Sequence, residues 1–162
     1  MKALLVIDIQ KGLTKKKLYN DSVFIDTVNG AIKKYNNYKY LVVYIQHNSN
    51  QLKDGTEDWE IDSRINKDIT NNIIQKNHGN SFEKTGLKSI LDNSNVKEIL
   101  VCGLVTHGCV KATCLGGLNE GFKTSLLRNG HTSWSTDAKE RVTKTETELK
   151  QAGVLILDIN EI

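Results

Sequence analysis

Ile99 to Leu118, ILVCGLVTHGCVKATCLGGL, is the stretch that decides the fold of this 162-residue chain. Its first residues, Ile99 to Cys102, form a continuous apolar run, which suits a strand buried on both faces, as parallel strands are. Gly103 ends the run, and Leu104, Val105, Thr106, His107 and Gly108 lead to Cys109. Beyond it Val110, Ala112, Thr113, Leu115 and Leu118 suggest a helix lasting to Gly121. Strand, glycine-bounded loop and helix make up most of a βαβ unit.

The same alternation recurs on both sides. Further apolar runs are Ala3 to Ile7, Tyr40 to Ile45, a weak Ile73–Ile74, Thr124 to Leu127 and Val154 to Leu157. Phe24, Val28, Ala31 and Tyr35 draw one apolar stripe down a helix from about Asp21 to Asn37, which Asn20 or Asp21 can cap. Leu87, Ile90 and Leu91 mark a short helix. Ala138, Val142, Thr145, Leu149 and Ala152 mark a last one, stopped by Gly153. Right-handed crossovers then predict an α/β chain, a doubly wound parallel sheet with helices on both faces, as one domain over residues 1–162. In such sheets ligands bind beyond the carboxyl ends of the strands. The segment from His47 to Asp68 has no clear period and holds Gly55 and Trp59; excursions of that kind are usually functional or disordered.

Composition narrows the partners. Lys and Arg number 22 against 19 Asp and Glu, and a net charge of +3 is too small and evenly spread to imply nucleic acid or an anionic membrane. A small molecule or another protein fits better. The longest apolar stretch, Ala3 to Ile7, is broken by Asp8, too soon for a membrane span or a secretory signal. Cys102, Cys109 and Cys114 are an odd, crowded set without framework spacing, which favours a reducing cytoplasm over a disulfide-built fold.

The residues that end strands are the candidates for chemistry. Asp8 closes the first run, where an acid can be a base, a nucleophile, a metal ligand or simply a turn former. Gln10 stands where a haloacid dehalogenase-type phosphatase needs its second Asp, so that reading fails. Cys109 in the first turn of a helix is in a nucleophile's position, because the helix dipole and free N–H groups favour a thiolate; the plainer reading is an inert buried thiol. Cys102 and Cys114 read as core side chains. The three thiols with His107 contain no C-x-x-C pair, so a zinc cluster is not indicated. The Gly103–Gly108 loop lacks the Lys-Ser/Thr of a P-loop and does not match G-x-G-x-x-G. Lys76 follows the weak third strand. Beside a carboxylate and a thiol it would hold the first ionised and lower the pKa of the second. His78 and His107 read as loop residues able to line a pocket.

With Asp8 in D-I-Q, Lys76 ahead of Ser81-Phe82, and G-L-V-T-H-G-C-V at 103 to 110, the chain resembles the isochorismatase-like cysteine hydrolases. G-T-E-D-W-E-I at 55 to 61, Thr85-Gly86-Leu87 and Thr113 add to the likeness, which runs from Met1 to about Gly153. The resemblance implies a three-layer α/β/α sandwich, often of six strands, and an Asp-Lys-Cys triad at Asp8, Lys76 and Cys109. It implies a cis peptide at Leu104–Val105, and with it an oxyanion hole of the Val105 and Cys109 N–H groups. Gln10, Trp59, Leu104, Thr106 and His107 become candidates for substrate binding. Family members that cleave a vinyl ether lack the cysteine, so Cys109 implies the amidase-like branch, acting on a C–N bond through a thioester. Vinyl-ether hydrolysis and non-catalytic binding of a small molecule are the alternatives. Nicotinamidases of the family carry an Asp-x-His-x-x-His metal site after the second strand. Here Gln46, Asn48 and Gln51 stand in those places, amides that suit divalent ions poorly, so no metal and no cofactor is expected. Asn129 stands after the fifth strand where an Asp is common in the family. Homo-oligomers, dimers or larger, are the family's habit, and Trp59, Trp134 and several tyrosines could stud an interface.

Overall fold

The apolar runs become strands and the striped segments become helices. A computed structural model describes residues 1–68 and 72–162 of the chain. Its strands are β1 (Lys2–Ile7), β2 (Leu41–His47), β3 (Asn72–Lys76), β4 (Glu98–Leu104), β5 (Lys123–Thr132) and β6 (Leu155–Leu157). All six are parallel, in the order β3-β2-β1-β4-β5-β6. The helices are α1 (Lys11–Thr14), α2 (Asp21–Asn37), α3 (Leu87–Asn93), α4 (Lys111–Asn119) and α5 (Ala138–Gln151).

The strand order explains the layers. From β1 the chain steps outward through β2 to β3, then crosses back to β4 beside β1 and steps the other way. Right-handed crossovers in opposite directions must lie on opposite faces. Accordingly α2 packs Phe24, Val28, Ala31 and Ile32 on Leu4, Val6, Tyr44 and Leu100. On the other face Leu87 and Leu91 of α3, Cys114 of α4 and Leu149 of α5 meet Leu5, Ile7, Ile45 and Val101. The reversal falls between β1 and β4, whose carboxyl ends carry Asp8 and the loop to Cys109.

Four local features depart from the sequence reading. Asn20 begins α2 with a left-handed backbone (φ 51°) and no side-chain cap, and Asp21 reaches Arg64 instead, at 2.6 Å. Helix α1 is a single turn that no apolar stripe announces. Strand β5 continues past Leu127 to Thr132, because the β4–β5 register shifts between Val101 and Gly103, so that Gly103 pairs with His131 and Leu104 with Thr132. Gly103 itself has φ +127°, and a Cβ there would collide with the Ile7 carbonyl oxygen across the sheet.

The excursion after β2 is tied down rather than loose. Arg64 holds Asp62 and Asp21 together, Asn29 of α2 donates to the Arg64 carbonyl at 2.8 Å, and its own oxygen accepts from Asn66 N–H at 2.9 Å. Lys11 and Lys15 pair with Glu60 and Asp58, each at 2.6 Å. Among the described residues no helix is long and apolar enough to cross a membrane.

Candidate active site

Three elements distant in sequence deliver their end residues to one point. Asp8 follows β1, with its backbone N–H on the Ile45 carbonyl at 2.9 Å. Strand alternation would send its side chain to the α2 face, but φ is 54° at Asp8, and this left-handed turn breaks the alternation. Lys76 is the last residue of β3, on the same face as Ile74, and its four-carbon stem runs inward. Its ammonium donates to Asp8 Oδ2 at 2.9 Å, to the His78 carbonyl at 3.1 Å, and lies 2.8 Å from His47 Nδ1. With Asp8 at 2% exposure and Lys76 at 1%, this ion pair is sealed from solvent. Burial pushes the Asp8 carboxyl up, and the Lys76 charge and hydrogen bond pull it back.

Cys109 sits in a wide turn, Thr106–Val110, between β4 and α4, in which Gly108 departs from helical geometry (φ −112°, ψ −113°). The turn closes on one acceptor, with Gly108 N–H and Val110 N–H both on the Val105 carbonyl, at 3.0 and 3.3 Å. The peptide bond between Leu104 and Val105 is cis. One turn further, Thr113 Oγ1 accepts the Ser81 N–H at 3.0 Å and lies 2.8 Å from Ser81 Oγ, which fastens the segment after Lys76 to the helix after Cys109. Gly116 faces Asn80 where any side chain would overlap the amide, so α4 seats directly on that segment. An Asp8 carboxylate oxygen, a His47 ring nitrogen and Cys109 Sγ lie within 4.8 Å of one another.

The charge state of the sulfur differs from the expectation of a helix-stabilised thiolate. Cys109 is half-buried, and burial first, then the Asp8 charge, pushes its thiol up to about 11, with Lys76 pulling the other way. Burial and the Asp8 charge thus favour the neutral thiol. Asp8 Oδ1 is buried and has no hydrogen-bond partner among the described residues. Cys102 and Cys114 are sealed in the core, where burial pushes their thiols further up.

The candidate substrate contacts lie in several different surroundings. Gln10 is buried, its amide donating to the His47 and Trp59 carbonyls at 3.0 and 2.9 Å and accepting from the His47 N–H at 2.8 Å, so it is a clamp between β1, β2 and the excursion. Leu104 is sealed in the core on the α2 face. Thr106 is also sealed, its hydroxyl 2.9 Å from His131 Nδ1, while His131 Nε2 lies 3.2 Å from Glu146. His107 borders a surface hollow with Lys111, Arg141 and Lys144 along α5. Trp59 borders another with Gln46, Ile73 and Gln75, on the sheet face opposite to His47 and Lys76. His78 lies 3.6 Å from Glu83, and only its carbonyl reaches the ammonium. His47 is the contact that motif reading missed; its signal was parity, because the last residue of β2 must face the opposite way from Gln46.

The stretch that corresponds to the family's metal site does not fit a metal. Gln46 donates to the Trp59 carbonyl at 3.0 Å, while Asn48 accepts the Trp59 indole N–H at 2.7 Å and donates to Gln75 at 3.1 Å. These amides are engaged by the Trp59 carbonyl and indole and by the Gln75 amide. At the Asp8–His47–Cys109 cluster the cation is already supplied by Lys76.

Comparison with known proteins gives the family. The family model for the isochorismatase domain matches residues 2–161. A streptothricin hydrolase of Streptomyces noursei is 26% identical over 153 residues, 90% of this chain but only 54% of that protein, so the chain spans about half of its length. An uncharacterised isochorismatase family protein of Bacillus subtilis is 26% identical over 152 residues, 89% of this chain and 84% of its own. Among solved structures, the pyrazinamidase of Pyrococcus horikoshii in complex with zinc superposes with a TM-score of 0.86 at 25% identity, covering 97% of this chain and 98% of that one. A six-stranded parallel sheet between helical layers, matched by one family model from end to end, places this chain in the isochorismatase family.

Proposed function

We propose that the protein hydrolyses a C–N bond of amide type in a small molecule, with Cys109 as nucleophile, Asp8 as general base and acid, and Lys76 as the fixed charge that keeps Asp8 ionised. The observation that carries this reading is the sealed Asp8 carboxylate, one oxygen of which, Oδ1, has no partner among the described residues, lying within 4.8 Å of a half-buried thiol. An unpaired buried acceptor costs about 1–3 kcal/mol, and a proton arriving from sulfur would satisfy it. Its partner oxygen is held by Lys76, so only one of the two is available.

The steps balance as follows. Asp8 takes the thiol proton as Sγ bonds to the substrate carbonyl carbon, and the carbonyl oxygen becomes an oxyanion facing the N–H groups of Val105 and Cys109. The C–N bond breaks, and the proton on Asp8 passes to the leaving nitrogen. Water then attacks the thioester, giving its proton to Asp8. Cleavage of the C–S bond releases the acid and returns that proton to sulfur. A neutral resting thiol fits this sequence, because the base acts during attack rather than before it.

The test is the release of ammonia or amine from a panel of small amides. Cys109→Ala and Asp8→Asn are each expected to lose at least about a thousandfold, the scale on which general base and nucleophile act. Full turnover by either variant removes that residue from the mechanism. A carbonyl compound that binds tightly, raises the melting temperature and is recovered uncleaved would show a binding protein instead.

A further inference from the structure

His131 is sealed in the interior, and the proposed reaction gives it no part. It reaches its place through the register shift of β5. While β4 advances from Val101 to Gly103, β5 advances from Leu126 to His131, with Asn129 left-handed (φ 61°) on the way. The shift leaves His131 beside the end of β4, where the Cys109 turn begins. There its Nδ1 lies 2.9 Å from the hydroxyl of Thr106, the first residue of that turn, and its Nε2 lies 3.2 Å from a carboxylate oxygen of Glu146 on α5. A carboxylate accepts and does not donate, so the proton between these two is on Nε2. In the neutral ring Nδ1 then accepts the Thr106 hydroxyl; in the charged ring the direction of this bond reverses without breaking it. His131 is 3% exposed and Thr106 0%, so neither can exchange its partner for bulk water. Helix α5 thus holds the turn at both ends. Glu146 acts through His131 on Thr106, where the turn starts, and Glu148 takes Lys111, the residue after the turn, at 2.6 Å. The two glutamates are two residues apart and so point to opposite sides of the helix.

Resting on the amide-hydrolase reading, we propose that His131 is a positioning residue for that reaction: pinned by Glu146, it fixes Thr106 and so aims the N–H groups of Val105 and Cys109 at the oxygen of the substrate carbonyl. Val105 directly precedes Thr106, and its carbonyl is the shared acceptor of the Gly108 and Val110 N–H groups, so a rotation at Thr106 is carried through the turn to Cys109. Stabilisation of an oxyanion depends on donors already in place when the charge develops. A small misdirection of them is therefore felt in the transition state rather than in substrate binding. Among the described residues the chain from Glu146 makes no hydrogen bond to Asp8 or Lys76, so the handling of the thiol proton is left as it is.

Paired substitutions separate positioning from packing. Thr106→Val keeps the shape and loses the hydroxyl, while Thr106→Ser keeps the hydroxyl. His131→Asn can offer an amide oxygen near the place of Nδ1, and His131→Leu offers nothing. On an amide that wild type hydrolyses, Thr106→Val and His131→Leu are expected to lose kcat by roughly 10- to 100-fold, less than deletion of an oxyanion donor, with KM within about twofold of wild type. Thr106→Ser restores kcat to within about threefold, and His131→Asn falls between the extremes. Alkylation of Cys109 by iodoacetamide uses no oxyanion donor, and its rate should stay within about twofold in all four variants. An unchanged kcat in His131→Leu, or Thr106→Ser as slow as Thr106→Val, overturns the proposal. So does a fall in alkylation that matches the fall in kcat, which would put the effect at the sulfur. If His131→Leu does not fold, the Thr106 pair carries the same comparison. Hydrogen exchange of the Gly108 and Val110 amides needs no substrate: it should quicken at least about tenfold in Thr106→Val while the amides of β1 keep their protection. Exchange that is unchanged, or that quickens equally in β1, overturns the proposal. If wild type hydrolyses no amide while the exchange behaves as expected, the hydrolase reading fails and the hold of His131 on the turn stands.

Discussion

At the scale of residues, Asp8 acts on Cys109 in two opposing ways. Its charge raises the thiol pKa, and in the proposed mechanism its unpartnered oxygen receives the thiol's proton. Asp8→Asn is therefore expected to make Cys109 easier to alkylate while abolishing turnover, whereas Lys76→Met makes alkylation slower. With the thiol at about 11, labelling of wild type by iodoacetamide should keep accelerating as pH rises from 7 toward 11, still ahead of sealed Cys102 and Cys114. A plateau near pH 7 would mean a thiolate after all. Since Asp8 must be ionised to accept a proton and its pKa is raised, activity falls on the acid side at a higher pH than an ordinary carboxylate would give. The sealed pair also predicts non-additive stability. Asp8→Asn leaves a buried ammonium short of its counter-charge and should cost about 3–5 kcal/mol in denaturant melts, and adding Lys76→Met should recover much of that loss.

At the scale of elements, apolar periodicity located α2 and α5 well, because a stripe along a helix is written directly in the spacing of Phe24, Val28, Ala31 and Tyr35. Asp8, Lys76 and Cys109 were legible as strand-end residues, since an apolar run that stops at a polar side chain fixes where the sheet ends. What the sequence hides is whatever depends on the partner strand. Arg128-Asn129-Gly130 lies beyond the apolar run that ends at Leu127, yet the shifted register keeps it inside β5, and the β4 end that leads to Cys109 is built on that shift. Gly103 borders the shift, and a Cβ there would meet the Ile7 backbone. Gly103→Ala is expected to destabilise the fold by about 3 kcal/mol or more, since both its φ and its space exclude a side chain. Gly55→Ala, with φ +86° but open space around it, should cost less. Thr106 illustrates the same limit. Its place in G-L-V-T-H-G-C-V suggested a substrate contact, but its hydroxyl faces inward to His131, and Thr106→Val should loosen the Cys109 turn without touching Asp8 or Lys76.

At the scale of the whole molecule, the excursion between β2 and β3 joins the two ends of the design. Arg64 bridges Asp62 and the start of α2. Burial would raise the Asp62 carboxyl, but the hydrogen bonds and charge of Arg64 hold it at about 2. A carboxylate depressed in the folded state adds stability above its ordinary range and loses it as pH falls toward 2, so this tie should persist to lower pH than an ordinary carboxylate would allow. Arg64→Met is expected to expose the excursion to limited proteolysis at neutral pH while the circular dichroism of the sheet stays unchanged. One consequence of the strand order concerns durability. The ammonium on which the proposed chemistry turns belongs to β3, an edge ribbon, bonded to a neighbour on one side only and half open to water along Asn72, Ile73 and Gln75. Peripheral ribbons detach before central ones. In rising urea, catalysis should thus fade at concentrations that leave the helical signal intact: the molecule is disarmed first and unfolded later.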